Sequence, residues 1–433
     1  MEQATAWQMR GQGVGRVRAC TVSRWSGTHS AMTLEFRFSA EVEAFRDEVR
    51  TFLRHEMAPE RVTPHGDDGD LTGLGEQFER QLLQRAGERG FLGISLPVEW
   101  GGGGRPASFQ AAFNLEVAAH DAPLIDTAVT LAAQPLLAWG SPDQRAFFLP
   151  RIVAGSLIMG IAYTEPSAGS DLGNLSMVAE PDDDGFVLTG VKSLVTAAHK
   201  ADWCVTIART RPGVPPRDGL TMFLLDMRAE GLDVRRRPTM NRWTLGEITF
   251  DRVRVGPDAV LGEENGGWRQ LAAAVATEGA GMFHIGFARH LFDSLVAYVR
   301  SPPDGAPMSD DPLIKDRIAL LHGEVEASER LAKRAIWMQE NGQENMVFAA
   351  MAKVYATELL QRLALAATDI AGMDGTLYRP LFGPGSSTAD GDGRFAWEYL
   401  ERVHGTIGGG TNEIKRTLIA QAGLGLPRPP RVV

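Results

Sequence analysis

Apolar residues in the first third of the chain recur at helical spacing. Between Phe38 and Glu56, positions such as Val42, Phe45 and Val49 follow one another at intervals of three and four, the period of a helix with one buried face. Ser39 precedes this pattern and acidic residues follow it, so Ser39 is predicted to cap the helix. Further helices are predicted at Glu76–Arg89, Ala107–Ala119, Ala122–Trp139 and 144–150, which together with the first define an all-helical domain at residues 32–155.

The period changes after Ser156, where short stretches become rich in β-branched and aromatic residues. The clearest stretch alternates apolar and polar residues from Gly246 to Val255, the pattern of a strand with one buried face. Clusters of Pro and Gly separate the stretches. We therefore predict a small β domain or barrel over residues 156–265, with strands at 185–192, 203–208, 221–226 and 246–255.

Helical spacing returns at Trp268. Long helical patterns that are joined end to end are typical of a helical bundle. The fold is therefore predicted to be mostly α with a central β domain. Its C-terminal part is a four-helix bundle at residues 266–425 with a tail at 426–433, and the helices are predicted at Leu271–Arg300, Leu313–Asn341, Glu344–Met373, Phe395–His404 and Thr411–Ala422.

Composition narrows the class of protein. The chain has 433 residues, of which 44% are hydrophobic and 23% charged, as is usual for globular proteins of two or three domains. A net charge of -10 argues against nucleic-acid binding, which needs a basic face. Two cysteines and dispersed histidines predict neither a disulfide framework nor a metal site, and favour the cytoplasm. The longest apolar runs are too short to span a membrane.

The first 31 residues differ from the rest. They carry four arginines against one acidic residue, and they show no apolar period. A transit peptide has a similar bias. A disordered extension, or an upstream start codon with the natural start at Met32, explains the same observation. We favour these two, because helical patterning begins just after Met32.

One loop has a composition suited to contact with a ligand. Residues Tyr163–Leu172 hold hydroxyls between flexible and turn-forming residues, and they follow an apolar run. Such a loop can aim backbone N–H groups and hydroxyls at a phosphate or a ring edge. Composition alone indicates no more than a turn.

The order of residues in this loop resembles the flavin-binding signature of the acyl-CoA dehydrogenase family, Thr-Glu-Pro-x-Ala-Gly-Ser-Asp. Two further segments, Lys192–Asp202 and Gly405–Arg416, are similar to motifs of the same family. The order of helical, β and helical domains is also that of the family. The resemblance extends from Met32 to about Pro427.

The resemblance implies FAD-dependent α,β-dehydrogenation of an acyl-CoA thioester with a fatty or steroid side-chain acyl group. A base removes the α-proton while the β-hydrogen leaves as hydride to the flavin N5. The family motifs imply that the cofactor is contacted by Tyr163, Thr164, Gly169, Ser170, Leu194, Thr196, Asp369, Gly372, Thr411 and Glu413. They imply that the substrate is contacted by Ser170, Glu278, Met282 and Gly409.

Glu278 is the candidate base. A position that the family often uses for the base is Gly409 here, which has no side chain, whereas a second known position corresponds to Glu278. Glu278 shares an apolar stripe with Val275 and Met282, where desolvation would raise the pKa of a carboxyl toward that of a general base. The alternative is a core glutamate that an arginine of the bundle neutralises.

Four departures from the family fall on cofactor and CoA contacts. Leu194 stands where the family usually has a ring-covering Trp, and Gly279 stands where an Arg commonly follows the base. The family's diphosphate-binding motif is replaced by Asp369–Gly375, in which Asp369 would repel a diphosphate. The family's Arg-x-x-Phe-Gly motif, which reaches a neighbouring subunit's FAD, is replaced by Ser301–Pro307.

These departures resemble an actinobacterial branch of the family in which unlike chains form heterotetramers. Two alternatives to an active dehydrogenase therefore stay open: a non-catalytic or weakly flavin-binding partner subunit, and a flavin monooxygenase or acyl-modifying enzyme on the same fold. The expected partners are an acyl-CoA, electron-transfer flavoprotein or a similar acceptor, and further chains in a homo- or heteromeric dimer or tetramer.

Overall fold

The structure is a computed structural model. It describes residues 37–58, 61–62, 74–124, 128–215, 217–240, 244–276, 281–302, 305–379 and 393–427. The predicted extension at residues 1–31 lies outside these ranges, as does most of the predicted tail.

The N-terminal part is helical, as predicted. The Ser39 hydroxyl accepts a hydrogen bond from Val42 N at 3.2 Å, which makes Ser39 the cap of the first helix. Glu116, which is buried, accepts hydrogen bonds from Arg46 at 2.5 Å and Arg50 at 2.8 Å and so ties the first helix to the third. The helices of this part are α1 (Ala40–Glu56), α2 (Glu76–Glu88), α3 (Ala107–Ala119), α4 (Ala133–Trp139) and α5 (Pro142–Val153).

The prediction of one helix over Ala122–Trp139 is wrong at its start. Asp121 has a φ of 49°, a left-handed conformation that ends the preceding helix. Pro123 then disfavours helical geometry at Ala122. Within the described residues, helical backbone resumes only at Ala128.

A curled sheet forms the middle of the chain. The described residues contribute seven strands: β1 (Met159–Ala162), β2 (Val178–Asp182), β3 (Gly185–Thr196), β4 (Trp203–Arg209), β5 (Leu220–Asp226), β6 (Leu232–Pro238) and β7 (Thr244–Val255). Their hydrogen-bonded order is β1-β4-β2-β3-β7-β6, with β5 added to β4. The long strands β3 and β7 pair antiparallel, with a β-bulge between Lys192 and Val195.

The C-terminal part is again helical. Its helices are α6 (Gly267–Ala276), α7 (Met282–Arg300), α8 (Pro312–Glu340), α9 (Met346–Ala371), α10 (Arg394–Glu401) and α11 (Asn412–Leu418). The long helices α7, α8 and α9 bury an apolar core that includes Leu295, Val325 and Leu363. The predicted fold class, with a central β domain between two helical parts, is confirmed. No helix in the described ranges is long and apolar enough to cross a membrane.

The prediction of one helix from Leu271 to Arg300 is wrong. Gly281 has a φ of 74° and caps α7, so α6 and α7 are separate helices. The spacing of apolar residues is helical on both sides of the break, and for this reason the pattern did not reveal it. The stripe from Leu271 to Ile285 therefore does not lie on one continuous helix face.

Candidate cofactor and substrate site

The Tyr163–Leu172 loop begins as a tight turn directly after β1. Glu165 N donates to Ala168 O at 3.1 Å, and Ala168 N donates back to Glu165 O at 3.1 Å. Pro166 and Ser167 occupy the centre of this turn and are exposed. The loop prediction made from composition is therefore correct, and the turn fixes the path of the chain up to Gly169.

A buried ion pair lies beneath the start of the loop. The Lys192 ammonium of β3 is 0% exposed and donates to Glu165 Oε1 at 2.9 Å and to the carbonyl of Tyr163 at 3.1 Å. The Glu165 carboxylate also accepts hydrogen bonds from the backbone N–H groups of Ser176 at 2.6 Å and Met177 at 3.0 Å. The pair thus joins the loop, the segment before β2 and strand β3.

The two charges of this pair respond differently to burial. Burial lowers the pKa of Lys192 to about 8, even though Glu165 opposes the shift. Burial acts to raise the pKa of Glu165, but the charge of Lys192 and the hydrogen bonds from Ser176 outweigh it, so that the pKa is lowered overall. Glu165 is therefore ionised at neutral pH, whereas burial destabilises the charged form of Lys192.

The structure brings Thr164 and the Leu194–Thr196 segment together. Ser193 N donates to Thr164 O at 2.9 Å, so the loop runs beside the bulge in β3. The bulge places Leu194 at a φ of 57° with 61% of its surface exposed. Thr196 is also exposed, at the end of the same strand. These three predicted cofactor contacts therefore lie on neighbouring segments.

Gly169 and Ser170 lie on the open side of the loop. Both residues are exposed, and a Cβ added to Gly169 would meet no atom within 4 Å. Tyr163 differs from them, because its side chain is 7% exposed and packs in the core with Leu136 and Phe148. Its hydroxyl is buried without a hydrogen-bond partner among the described residues, and burial raises its pKa well above the usual range.

A second buried lysine holds the glycine-rich turn before α11. Lys353 of α9 donates to the carbonyl of Gly410 at 3.0 Å and to Asn412 Oδ1 at 3.0 Å. Gly409 and Gly410 have φ angles of 65° and 84°, a conformation that favours glycine. Gly409 is exposed and offers only its backbone.

Thr411 and Glu413 follow this turn. The Thr411 hydroxyl accepts a hydrogen bond from Ile414 N at 3.3 Å and caps α11. The side chain of Glu413 is exposed, and its pKa is lowered by a hydrogen bond from its own backbone N–H and by one from Thr411. Among the described residues, no hydrogen bond joins this turn to the Tyr163–Leu172 loop.

Asp369 and Gly372 lie at the end of α9, and both are exposed. The Asp369 carboxylate accepts a hydrogen bond from Arg317 of α8 at 3.0 Å, so a cation already offsets its charge. The repulsion expected between Asp369 and a diphosphate is correspondingly weaker. No described contact connects Asp369 with the loop.

The two residues predicted on the first bundle helix have different outcomes. Glu278 lies outside the described residues, so its role as the base stays a prediction. Met282 is 1% exposed and packs with Leu115 and Ile285 in the core between helices. This position gives Met282 a packing role, and its contact with substrate also stays a prediction.

The residues that sequence reasoning missed are those that hold the loops in place. Neither Glu165 nor Lys192 was predicted to carry a structural role, and Lys353 and Asn412 were not singled out. Lys192 ends the predicted strand 185–192, and nothing in the sequence signals that it is buried, because a charged residue in a strand is ordinarily expected to face solvent. The described residues contain no group of acidic, His or Cys side chains that could hold a metal ion.

Comparison with known proteins places almost the whole described chain in one family. Three family models match, which are described as the acyl-CoA dehydrogenase N-terminal domain at residues 39–156, the middle domain at 160–253 and the C-terminal domain at 265–424. The acyl-CoA dehydrogenase IpdE1 of Mycobacterium tuberculosis is 32% identical over 408 residues, which covers 90% of this chain and 98% of that protein.

Two solved structures have similar folds over most of their length. One is described as the Tcur3481-Tcur3483 steroid ACAD; it has a TM-score of 0.81 at 27% identity and covers 92% of this chain and 100% of that chain. The other is the ChsE4-ChsE5 complex from Mycobacterium tuberculosis, with a TM-score of 0.81 at 28% identity over 91% of this chain and 99% of that chain.

Proposed function

The chain belongs to the acyl-CoA dehydrogenase family, and on that basis we propose that it oxidises the Cα–Cβ bond of a fatty or steroid side-chain acyl-CoA with FAD as its cofactor. Members of the family are oxidoreductases that act on CH–CH bonds of acyl-CoAs. The substrate type, the cofactor and the residues that act are the proposed parts.

The observation that carries the proposal is the hydrogen bond between Ser193 N and Thr164 O at 2.9 Å. It sets side by side two segments that the sequence independently predicts to touch a flavin. The residues present also suit such a cofactor, because the open side of the loop at Gly169 leaves space and the N–H of Thr164 donates to no described residue. The flavin ring and the phosphates of the cofactor carry hydrogen-bond acceptors, which need donors of this kind.

The roles of the side chains follow from their places. Thr164 is half-buried, and Ser170 and Thr196 are exposed. Their hydroxyls would orient the cofactor and the thioester. Glu278 would take the α-proton as the general base. The bound FAD would accept the β-hydrogen as hydride. We also propose electron-transfer flavoprotein or a similar carrier as the electron acceptor, and a cytoplasmic location.

The visible spectrum of the purified protein tests the proposal. A yellow protein that bleaches anaerobically with an acyl-CoA is expected, and a panel of straight-chain and steroid side-chain CoA esters would identify the acyl group by the rate of bleaching. Glu278→Gln should keep the yellow colour and lower the rate of bleaching by a factor of at least about 100, the usual contribution of a general base. Glu264→Gln, which changes an exposed glutamate just before α6, is the matched control and should bleach normally. Normal bleaching in Glu278→Gln would remove Glu278 from the role of base.

A second candidate is a partner subunit of a heteromeric dehydrogenase that binds flavin weakly. The exposed Leu194, at 61%, supports it, because no aromatic ring is available there to cover a flavin. Two similar structures are described as two-component assemblies, Tcur3481-Tcur3483 and ChsE4-ChsE5. A colourless protein that gains colour only when it is co-purified with a second chain would favour this candidate.

A further inference from the structure

In the Tyr163–Thr164 peptide group, the carbonyl has a hydrogen-bond partner, whereas the N–H has none among the described residues. Its carbonyl accepts a hydrogen bond from the Lys192 ammonium at 3.1 Å. The peptide is trans, and in a trans peptide the C=O and N–H bonds point in opposite directions. The N–H of Thr164 therefore points away from Lys192, and it donates to no residue in the described ranges.

The neighbouring peptide groups leave little freedom to this one. Thr164 O accepts from Ser193 N at 2.9 Å, and Glu165 N donates to Ala168 O at 3.1 Å. The Thr164 N–H therefore has a fixed direction and has no acceptor among the described residues. A half-buried backbone N–H without a partner in the protein is expected to meet water or a ligand.

Burying the charge of Lys192 costs free energy, which its contacts must offset. Lys192 is 0% exposed, and its ammonium is compensated by Glu165 at 2.9 Å. A buried ion pair is seldom more stabilising than apolar side chains of the same size. A charged pair at this point therefore indicates a positioning role. The group that the pair positions is the Tyr163–Thr164 peptide, whose carbonyl accepts from Lys192.

We propose that Lys192, held by Glu165, is a positioning residue that turns the Tyr163–Thr164 peptide so that the Thr164 N–H donates to an acceptor atom of the flavin ring. This inference rests on the proposed function, since it takes FAD as the ligand. Reduction places more electron density on the ring, so a donor at this point stabilises the reduced form more than the oxidised form. Lys192 acts through the backbone and does not itself touch the ring.

The test compares Lys192→Met and Glu165→Gln with the wild type. Lys192→Met removes the donor to the Tyr163 carbonyl and keeps the length of the side chain. We expect FAD to bind about tenfold more weakly, or ~1.4 kcal/mol. We also expect a lower midpoint potential of the bound FAD at saturation, with a shifted visible spectrum. Glu165→Gln should change both quantities in the same direction by a smaller amount, because Lys192 can still reach the carbonyl.

The control is Glu116→Gln, which removes the charge of another buried glutamate that accepts from two cations between α1 and α3. It should lower the Tm of the apoprotein as the site variants do, while the Kd and the potential of FAD stay at wild-type values. A purely structural role for Lys192 would lower Tm alone.

Three outcomes separate the possibilities. Weaker FAD binding together with a lower potential in Lys192→Met supports the proposal. Wild-type Kd and potential in Lys192→Met overturn this inference and leave the proposed function standing, whereas a wild type that binds no FAD overturns both. If Lys192→Met does not fold, Glu165→Gln decides by the same two measurements.

Discussion

Leu194 stands where the acyl-CoA dehydrogenase family usually has a tryptophan that covers the flavin ring. Its backbone is in the left-handed region at a φ of 57°, and its side chain is 61% exposed. The bulge in β3 thus already aims a side chain outward next to Thr164. What the position lacks is a ring.

We expect Leu194→Trp to strengthen FAD binding. The backbone strain is the same for Leu and Trp, and stacking of a ring on the flavin adds about 1 kcal/mol, or roughly fivefold in Kd. Titration of the apoprotein with FAD, followed by quenching of flavin fluorescence, measures the change. Leu313→Trp, at a position on α8 that is 79% exposed, is the control and should bind FAD as the wild type does. An unchanged Kd in Leu194→Trp would show that residue 194 does not face the cofactor.

His284 at the start of α7 makes stability depend on pH. Burial lowers its pKa to about 3, and the positive charges of His404, Lys353 and Arg402 add to this shift. Between pH 6.5 and about 3 the unfolded chain binds a proton at this residue that the folded chain does not, so stability contributed by neutral His284 is lost as pH falls through this range.

We expect His284→Asn to reduce the loss of stability on acidification. From pH 6.5 to 5 the wild type should lose about 1.6 kcal/mol more unfolding free energy than the variant. Urea unfolding at several pH values measures the unfolding free energy of both proteins. The carboxyl groups that they share contribute equally to both, so their contributions cancel in the difference. His199→Asn, at a histidine of the β domain, is the control for the loss of an imidazole elsewhere in the chain. Parallel pH profiles for wild type and His284→Asn would contradict the prediction.

At the scale of residues, sequence reasoning predicted cofactor contacts that lie on neighbouring segments, and it missed the residues that hold those segments in place. Thr164, Ser170 and Thr196 belong to motifs whose order of residues is specific, so they could be placed without a structure. Glu165 and Lys192 could not be paired from the sequence, since they are 27 residues apart and meet only because β1 and β3 lie in one sheet. A charged residue in an alternating strand is ordinarily expected to face solvent.

At the scale of elements, helices with a strong apolar period were predicted nearly to the residue, and α3 at Ala107–Ala119 was predicted to the residue. The strands β1, β2 and β6 were missed. β6 carries Arg235, Arg236 and Arg237 and lies at an edge of the sheet, so it has no apolar alternation, and its pairing with β7 defines it instead. Such pairing is tertiary and leaves no local signal.

The break between α6 and α7 leads to a prediction about Gly281. Its φ of 74° is unfavourable for any residue with a Cβ, although the space around it is adequate, since the nearest atom to an added Cβ would be Lys353 Cα at 3.4 Å. We expect Gly281→Ala to lower the free energy of unfolding by about 1–2 kcal/mol through backbone strain alone. Denaturant unfolding measures this difference.

Gly323→Ala is the matched control for Gly281→Ala. Gly323 lies within α8, and an added Cβ would meet nothing within 4 Å. The same change should therefore stabilise the protein there by about 0.5–1 kcal/mol, because alanine is the better helix former. Equal effects at the two glycines would mean that Gly281 does not constrain the break.

At the scale of the whole molecule, assembly with another chain would explain both the departures from the family's cofactor motifs and the exposed apolar side chains. Tyr399, Val403 and Ile407 follow one another at intervals of four along α10 and the turn after it, with 49%, 49% and 58% of their surfaces exposed. Exposed apolar groups that lie together indicate a contact with another chain. A second acyl-CoA dehydrogenase-like chain is the occupant that would also account for the lack of an aromatic ring at Leu194.

We therefore expect the chain to form a stable complex with a second acyl-CoA dehydrogenase-like chain of the same organism, with fewer FAD molecules than chains. Light scattering after co-expression gives the stoichiometry, and the flavin absorbance per chain gives the FAD content. Val403→Asp should weaken association at least tenfold, because it places a charge in a desolvated contact, while the unfolding of the isolated chain stays unchanged. Val98→Asp, at a position in the N-terminal helical part that is 71% exposed, should leave association intact. A stable homotetramer with one FAD per chain, obtained from this chain alone, would contradict the heteromeric assembly, and FAD would then be held without a partner's help.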